Sequence, residues 1–332
     1  MLSWNFPAHA VNSSSKCSIY LDKISHFFLI PCGEQRCDAI KAVSIAKSIK
    51  VVLIVKSTLV HNFTMPNDRD EIWKIQENTM RMFAAEIVGT GILLLFGCMG
   101  SIGSMGSASP SPLQTALAFG LTINLIIMML GHVSGAHLNP AITIGAVIMG
   151  LKSIPTGVVY ILGQLIGATM GYGALKMTTP AELFNDGNSN STAGFCVTVI
   201  HPGISSVQGL LIEVFCTSCL LCAACATWDP RCAHITDSVA LKFGLSVAVL
   251  SFTAGPYTGC SMNPARTFAP ALWNNAWKDQ WIYWLGPILG ALLGTYAYLI
   301  LFAEKQSKRR KSIGLSNEKS FHILSQSHNA VP

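Results

Sequence analysis

The chain has 332 residues, 51% of them hydrophobic and only 11% charged, with a mean hydropathy of +0.46. Soluble domains carry about 25% charged residues, so the composition excludes an ordinary water-soluble globule and points to lipid as the solvent. The net charge of +6 includes one cluster, Lys305, Lys308, Arg309, Arg310 and Lys311, which reads as a membrane-topology signal rather than a nucleic-acid surface.

Residues 1–64 contain Lys16, Lys23, Lys41, Lys47, Lys50 and Lys56 among short apolar runs, none long enough to cross a bilayer. They are expected to be a disordered extension or the product of an upstream start, although 41–60 also suits an interfacial amphipathic helix. Met65 opens a compact polar lead-in, expected over 65–81. Spanning helices are predicted at 82–103, 113–133, 157–178, 206–227, 239–256 and 281–302, each close to the roughly 20 residues a bilayer requires. Two further apolar stretches, 139–150 and 263–273, are too short to cross. A basic tail is expected over 303–332.

Lys152 and Arg231 fall in connections on the same side as the tail, whereas 104–112 and 179–205 contain no Lys or Arg. The positive-inside rule therefore places both termini in the cytoplasm. Of the sequons at Asn12, Asn62 and Asn190, only Asn190 then lies outside the cell, where a glycan could be added. Cys216, Cys219, Cys222 and Cys225 resemble an extended CxxC array, but three-residue spacing inside an apolar helix drifts around its surface. They read as polarisable packing residues, and no metal or cofactor is expected.

An internal repeat organises the span-bearing region 82–302. Glu86, ALAFGL at 116–121, GAHLNPAIT at 135–143 and YILGQLIGA at 160–168 recur as Glu213, ALKFGL at 240–245, GCSMNPART at 259–267 and YWLGPILGA at 283–291, at offsets of 127, 124, 124 and 123 residues. Each half holds three spans, so the second enters the membrane from the opposite side and the repeats are inverted. Gly163, Gly167 and Gly171 match Gly286, Gly290 and Gly294, a spacing that lets membrane helices approach closely.

Asn139-Pro140-Ala141 and Asn263-Pro264-Ala265 each follow a Gly-containing loop and open a short helix. Asn is a strong N-cap, and Pro suits the first helical position because its missing N–H has no intrahelical partner there. One such motif is only a helix start. Two, placed symmetrically in an inverted repeat, point to half-helices meeting near the midplane. Irregular backbone at membrane depth is tolerated where it is buried or lines a water-filled cavity. Carbonyls of Gly135, Ala136, His137, Gly259, Ser261 and Met262 are thus expected along a pore, with the Asn139 and Asn263 amides as donors at its centre.

These residues resemble the aquaporin (major intrinsic protein) family from about Met80 to Phe302, and GHVSGAHLNPA and YTGCSMNPAR are near-verbatim family motifs. The resemblance implies an all-α membrane protein, a right-handed bundle of six transmembrane helices and two half-helices in an inverted repeat. It further implies a homotetramer in a lipid bilayer with one pore per subunit, expected in the plasma membrane. Glu86 and Glu213 are implied to be buried carboxylates bracing the re-entrant loops. The family's narrow ring carries over by position to Phe119, Ser251, Cys260 and Arg266. Phe119, Cys260 and Arg266 match the water-selective pattern, whereas water-selective members place His where this chain has Ser251.

Exchanging imidazole for hydroxymethyl widens the ring and leaves one donor/acceptor group. Water, glycerol and urea are therefore the expected permeants. Serine at this position is a feature of the insect entomoglyceroporins, which this chain resembles. Tyr283, Trp284 and Thr267 pull the other way, because glycerol facilitators usually have Pro-Leu and Asp at those places. A strictly water-selective channel is the alternative, and a secondary transporter a remoter one. His132, His137, Glu86 and Glu213 lack an accompanying nucleophile or metal set, so no enzyme is expected.

Overall fold

The computed structural model describes residues 69–102, 110–180, 183–184 and 194–304, with side chains from Gln76 onward. The expected extension over 1–64, Asn190 and nearly all of the tail lie outside the described residues. Eight α-helices follow in order: α1 Arg69–Met99, α2 Pro112–Ser134, α3 Pro140–Ile148, α4 Ile154–Thr178, α5 Ser206–Trp228, α6 Val239–Thr258, α7 Pro264–Asn274 and α8 Ile282–Leu301. Six are long and apolar enough to cross a membrane, whereas α3 and α7 have only 9 and 11 residues. No strand occurs among the described residues.

The first helix starts 13 residues before the predicted span, because the polar lead-in continues the helix. Its Glu, Lys, Gln, Met and Arg residues favour helix, and Arg81 pairs with Glu77 one turn back at 2.6 Å. Sharp signals set several other boundaries. Ser111, Ser153 and Ser205 cap α2, α4 and α5 by accepting hydrogen bonds from the backbone N–H groups of Gln114, Thr156 and Gln208. Gly135 and Gly259 end α2 and α6 in the left-handed conformation, with φ of 91° and 75°.

The two halves pack by the same rule. Helix α1 lies against α4, and α5 against α8, along the two glycine triplets. A methyl group on Gly171 would run into the carbonyl of Gly91, and one on Gly294 into that of Ser218. Ser218 Oγ also donates to the carbonyl of Gly290 at 3.2 Å, and Cys222 Sγ to that of Gly294 at 3.4 Å, so part of the cysteine array lies in the α5–α8 seam.

Each half-helix is embedded in the opposite half. Ala265 and Ala269 of α7 join the apolar cluster of α1, α2 and α4, while Ala141 and Ile142 of α3 join that of α5, α6 and α8. The outer surface remains apolar: Leu113, Leu117, Leu121, Leu125 and Met128 are exposed at intervals of three to four residues along α2. In water such a stripe would be costly, but it suits contact with lipid chains.

Candidate functional site

The N-termini of α3 and α7 meet inside the bundle, and two asparagines join them. Asn139 Oδ1 accepts from the N–H of Ala141 at 2.8 Å, and its Nδ2 donates to the carbonyl of Met262 at 2.8 Å. Asn263 does the same in reverse. Its Oδ1 accepts from the N–H groups of Ala265 and Arg266 at 3.0 and 3.2 Å, and its Nδ2 donates to the carbonyl of Leu138 at 2.9 Å. Each side chain thus caps its own half-helix and fastens it to the loop before the other. An amide has two donor hydrogens, so one on each asparagine is left over from these bonds. The Met262 carbonyl, assigned from sequence to the pore, is itself an acceptor in this exchange.

Two carboxylates hold the loops in shape. Glu86 is wholly buried and accepts four hydrogen bonds: from Ser134 Oγ (2.6 Å) and the His137 N–H (3.0 Å) on one oxygen, and from the Leu138 N–H (2.8 Å) and Gln164 Nε2 (2.8 Å) on the other. Glu213, also wholly buried, accepts three: from Thr258 Oγ1 (2.7 Å) and the N–H groups of Ser261 (2.9 Å) and Met262 (2.8 Å). The fourth is missing because the counterpart of Gln164 in YWLGPILGA is Pro287.

Tyr160 and Tyr283 complete the symmetry by donating to the carbonyls of Ser134 and Thr258 at 2.7 and 2.8 Å. Thr143 and Thr267 pair with the middle loop residues His137 and Ser261. The bracing matters because the loop backbone is unusual. Ala136, Leu138, Cys260 and Met262 have φ of 48°, 58°, 41° and 50°. Such left-handed residues cost of order 1–3 kcal/mol each and persist only where their surroundings over-determine them.

One continuous cavity of about 330 Å³ runs past this junction. Its walls include Asn139 and Asn263, the four ring candidates Phe119, Ser251, Cys260 and Arg266, and the loop residues His137, Gly259, Ser261 and Met262. Gly135 and Ala136 are not among the lining residues. The cavity reaches His137, whose ring packs at 5.0 Å from Tyr160 and 5.9 Å from Trp228, while the Ala136 side chain turns into the apolar core.

Arg266 occupies the first turn of α7 and is almost fully buried. Its Nη1 donates to the carbonyl of Cys196 at 2.9 Å, and its guanidinium carbon sits 4.8 Å from the centre of the Phe119 ring. Tyr283, Trp284 and Thr267 do not line the cavity. The Thr267 hydroxyl instead joins Thr198 and Ser261 in a buried network.

Cys98, near the end of α1, and Cys196, 98 residues later, form a disulfide. Sequence reasoning did not pair them. The available signal was weak: a cysteine at the end of a span and another in the long Lys/Arg-free segment on the same side.

Six spans, two capped half-helices embedded in opposite halves and a cavity along their junction define a multi-pass membrane channel. The chain belongs to the major intrinsic protein family, whose model matches residues 73–298. It is 37% identical over 231 residues to aquaporin-4 of Mus musculus, covering 69% of each chain. It is also 35% identical over 245 residues to aquaporin-2 of Rattus norvegicus, covering 73% of this chain and 87% of that one. The X-ray structure of the aquaglyceroporin from Plasmodium falciparum shares the fold, with a TM-score of 0.59 at 24% identity, over 66% of this chain and 95% of that chain. The protein is accordingly a passive channel of the aquaporin kind, not an enzyme.

Proposed function

We propose that the channel conducts water together with small uncharged solutes such as glycerol and urea, and turns back ions and protons. The observation that carries the reading is Ser251. It lines the cavity with Phe119, Cys260 and Arg266, and its side chain is far smaller than the imidazole of water-selective relatives. The three features that favour strict water selectivity, Tyr283, Trp284 and Thr267, lie off the cavity wall, so they leave the bore at the ring unchanged.

Permeants give up water as they enter the ring and need replacement partners. Carbonyls of His137, Gly259 and Ser261 supply acceptors beside the cavity, and that of Met262, which already accepts from Asn139, has a second lone pair to offer. The spare amide hydrogens of Asn139 and Asn263 supply donors at the centre. Cations meet Arg266 and the two half-helix N-termini, each equivalent to about half a positive charge. A proton arriving along a water file meets the same barrier.

The protein works as a homotetramer in the plasma membrane with both termini in the cytoplasm, and Asn190 outside is available to a glycan. The disulfide supports that orientation, because disulfides persist on the oxidising side of a membrane and Cys98–Cys196 lies on the side of the Lys/Arg-free segments 104–112 and 179–205. Swelling measurements on Ser251→His test the solute reading. Glycerol and urea uptake should fall sharply while water flux is largely kept. Solute uptake unchanged by that substitution would sink the proposal.

A further inference from the structure

We propose that the Cys98–Cys196 disulfide is a positioning element of the selectivity ring, coupling pore width to the redox state of the outer face. The inference rests on the ring assignment above. Its starting point is a closed circuit of contacts.

Cys196 supplies the carbonyl that accepts from Arg266 Nη1 at 2.9 Å. The Arg266 guanidinium lies 4.8 Å from the centre of the Phe119 ring. The opposite side of the circuit is the end of α1, where Gly97 lies so close to the Phe119 ring that a Cβ there would collide with it. The next residue, Cys98, closes the circuit through its bond to Cys196. Cys98, Phe119 and Cys196 also share one apolar cluster. The crosslink therefore ties the aromatic wall of the ring, through α1, to the loop that holds its arginine.

The loop has a reason to move when released. Cys196 has φ of 59°, the left-handed region that a non-glycine residue adopts only under constraint. Three contacts supply that constraint: the disulfide, the Arg266 bond to the Cys196 carbonyl, and the Tyr172 hydroxyl donating to the carbonyl of Phe195 at 2.6 Å. The disulfide is the covalent one. Without it the residue can relax toward ordinary backbone geometry, which turns its carbonyl and frees Arg266 to swing out of the ring. A wider opening admits solutes more readily than the oxidised ring does. Water gains less, because it already fits.

The release is thiol–disulfide exchange with a dithiol reductant. One reductant thiolate attacks a cystine sulfur to give a mixed disulfide, and its second thiol displaces the protein sulfur. Cys98 and Cys196 leave as thiols, and the reductant becomes a cyclic disulfide carrying the two-electron oxidation.

The test uses the full-length protein in proteoliposomes, with and without dithiothreitol. Maleimide labelling located by mass spectrometry reports the bond, and stopped-flow light scattering reports the glycerol-to-water permeability ratio. Cys98 and Cys196 should label only after reduction, and reduction should raise the ratio at least about threefold, a modest share of what one charge-assisted hydrogen bond can carry. The double variant Cys98→Ser, Cys196→Ser should show the raised ratio without reductant. Should that variant fail to fold, reduction of the folded wild type decides alone.

In Arg266→Ala, reduction should change the ratio no further, since the group through which the loop acts is gone. A broken crosslink with an unchanged ratio overturns the proposal. So does an equal shift in Arg266→Ala, or full labelling of both cysteines before reduction. If Ser251→His blocks glycerol but reduction changes nothing, the positioning role fails while the ring assignment stands. If oxidised wild type carries no glycerol, the solute reading fails and the coupling is still measured, as a glycerol flux that appears only on reduction.

Discussion

Replacing Glu213 by alanine removes both carboxylate oxygens, which together accept three hydrogen bonds, from a wholly buried position. The Thr258 hydroxyl can turn to another partner, but the N–H groups of Ser261 and Met262 are fixed by the loop and lose theirs. A buried donor left unsatisfied costs about 1–3 kcal/mol, so the two amides alone cost about 2–6 kcal/mol. The same bonds hold Cys260 and Met262 at φ of 41° and 50°, and their loss lets the loop relax. The relaxed loop, which lines the cavity from Gly259 to Asn263, then settles into the bore, so water permeability should fall with stability. For a channel domain of this length the cost amounts to a drop in melting temperature of at least about 4 °C. Glu213→Gln keeps the shape and one acceptor oxygen, and should lose about half as much. Glu77→Ala is the control. It breaks an ion pair whose side chains are 64% and 68% exposed, and exposed helical pairs contribute only about 0.3–0.5 kcal/mol. Thermal unfolding in detergent and stopped-flow shrinkage of proteoliposomes give the two readings. If Glu213→Ala melted within about 1 °C of wild type and kept its water flux, the carboxylate would not be what shapes the loop.

Two other expectations concern Asp229 and Cys260. Asp229 follows α5 and accepts from Arg231 through Nε, Nη2 and the backbone N–H, and from the Tyr298 hydroxyl. The Arg231 side chain above all holds its carboxyl well below the usual carboxylate range. A depressed carboxyl stabilises the fold above its unfolded pKa of about 3.9, and that contribution disappears as pH falls through the folded value. Melting temperature should therefore decline between about pH 5 and pH 2, and Asp229→Asn should start lower at neutral pH and decline less. Equal acid profiles for the two proteins would contradict this. Cys260 lines the cavity beside Arg266, so an organomercurial that replaces its thiol proton should block water flux, and Cys260→Ser should abolish the block. Persistent inhibition in that variant would place the reactive thiol elsewhere.

The spans and half-helices were legible in the sequence because their signals are local. Apolar length set the six spans, and Asn followed by Pro marked both half-helix starts to within a residue. The missed start of α1 shows the limit of apolar length as a signal, since Arg69–Gln76 is polar yet helical. The site was legible in its residue types but not in its bonding. Nothing local to Asn139 indicates that its amide reaches Met262, 123 residues away. Tyr160 and Tyr283 stood in the repeated motifs, yet only the folded loops show that their hydroxyls hold the carbonyls of Ser134 and Thr258. Cys98 and Cys196 were hidden for a similar reason. Pairing depends on a loop path that no spacing rule describes.

The reciprocal asparagine bonds bear on biogenesis. When the first three spans leave the ribosome, Asn139 has a half-helix to cap but no Met262 carbonyl to reach, and α3 lacks the helices that enclose it. The first half therefore enters the bilayer with an unfinished pocket, and only the second half, inserted the other way up, can close it. The pore thus cannot be complete before both halves are in place, and its formation doubles as a check that they have arrived in the correct orientation.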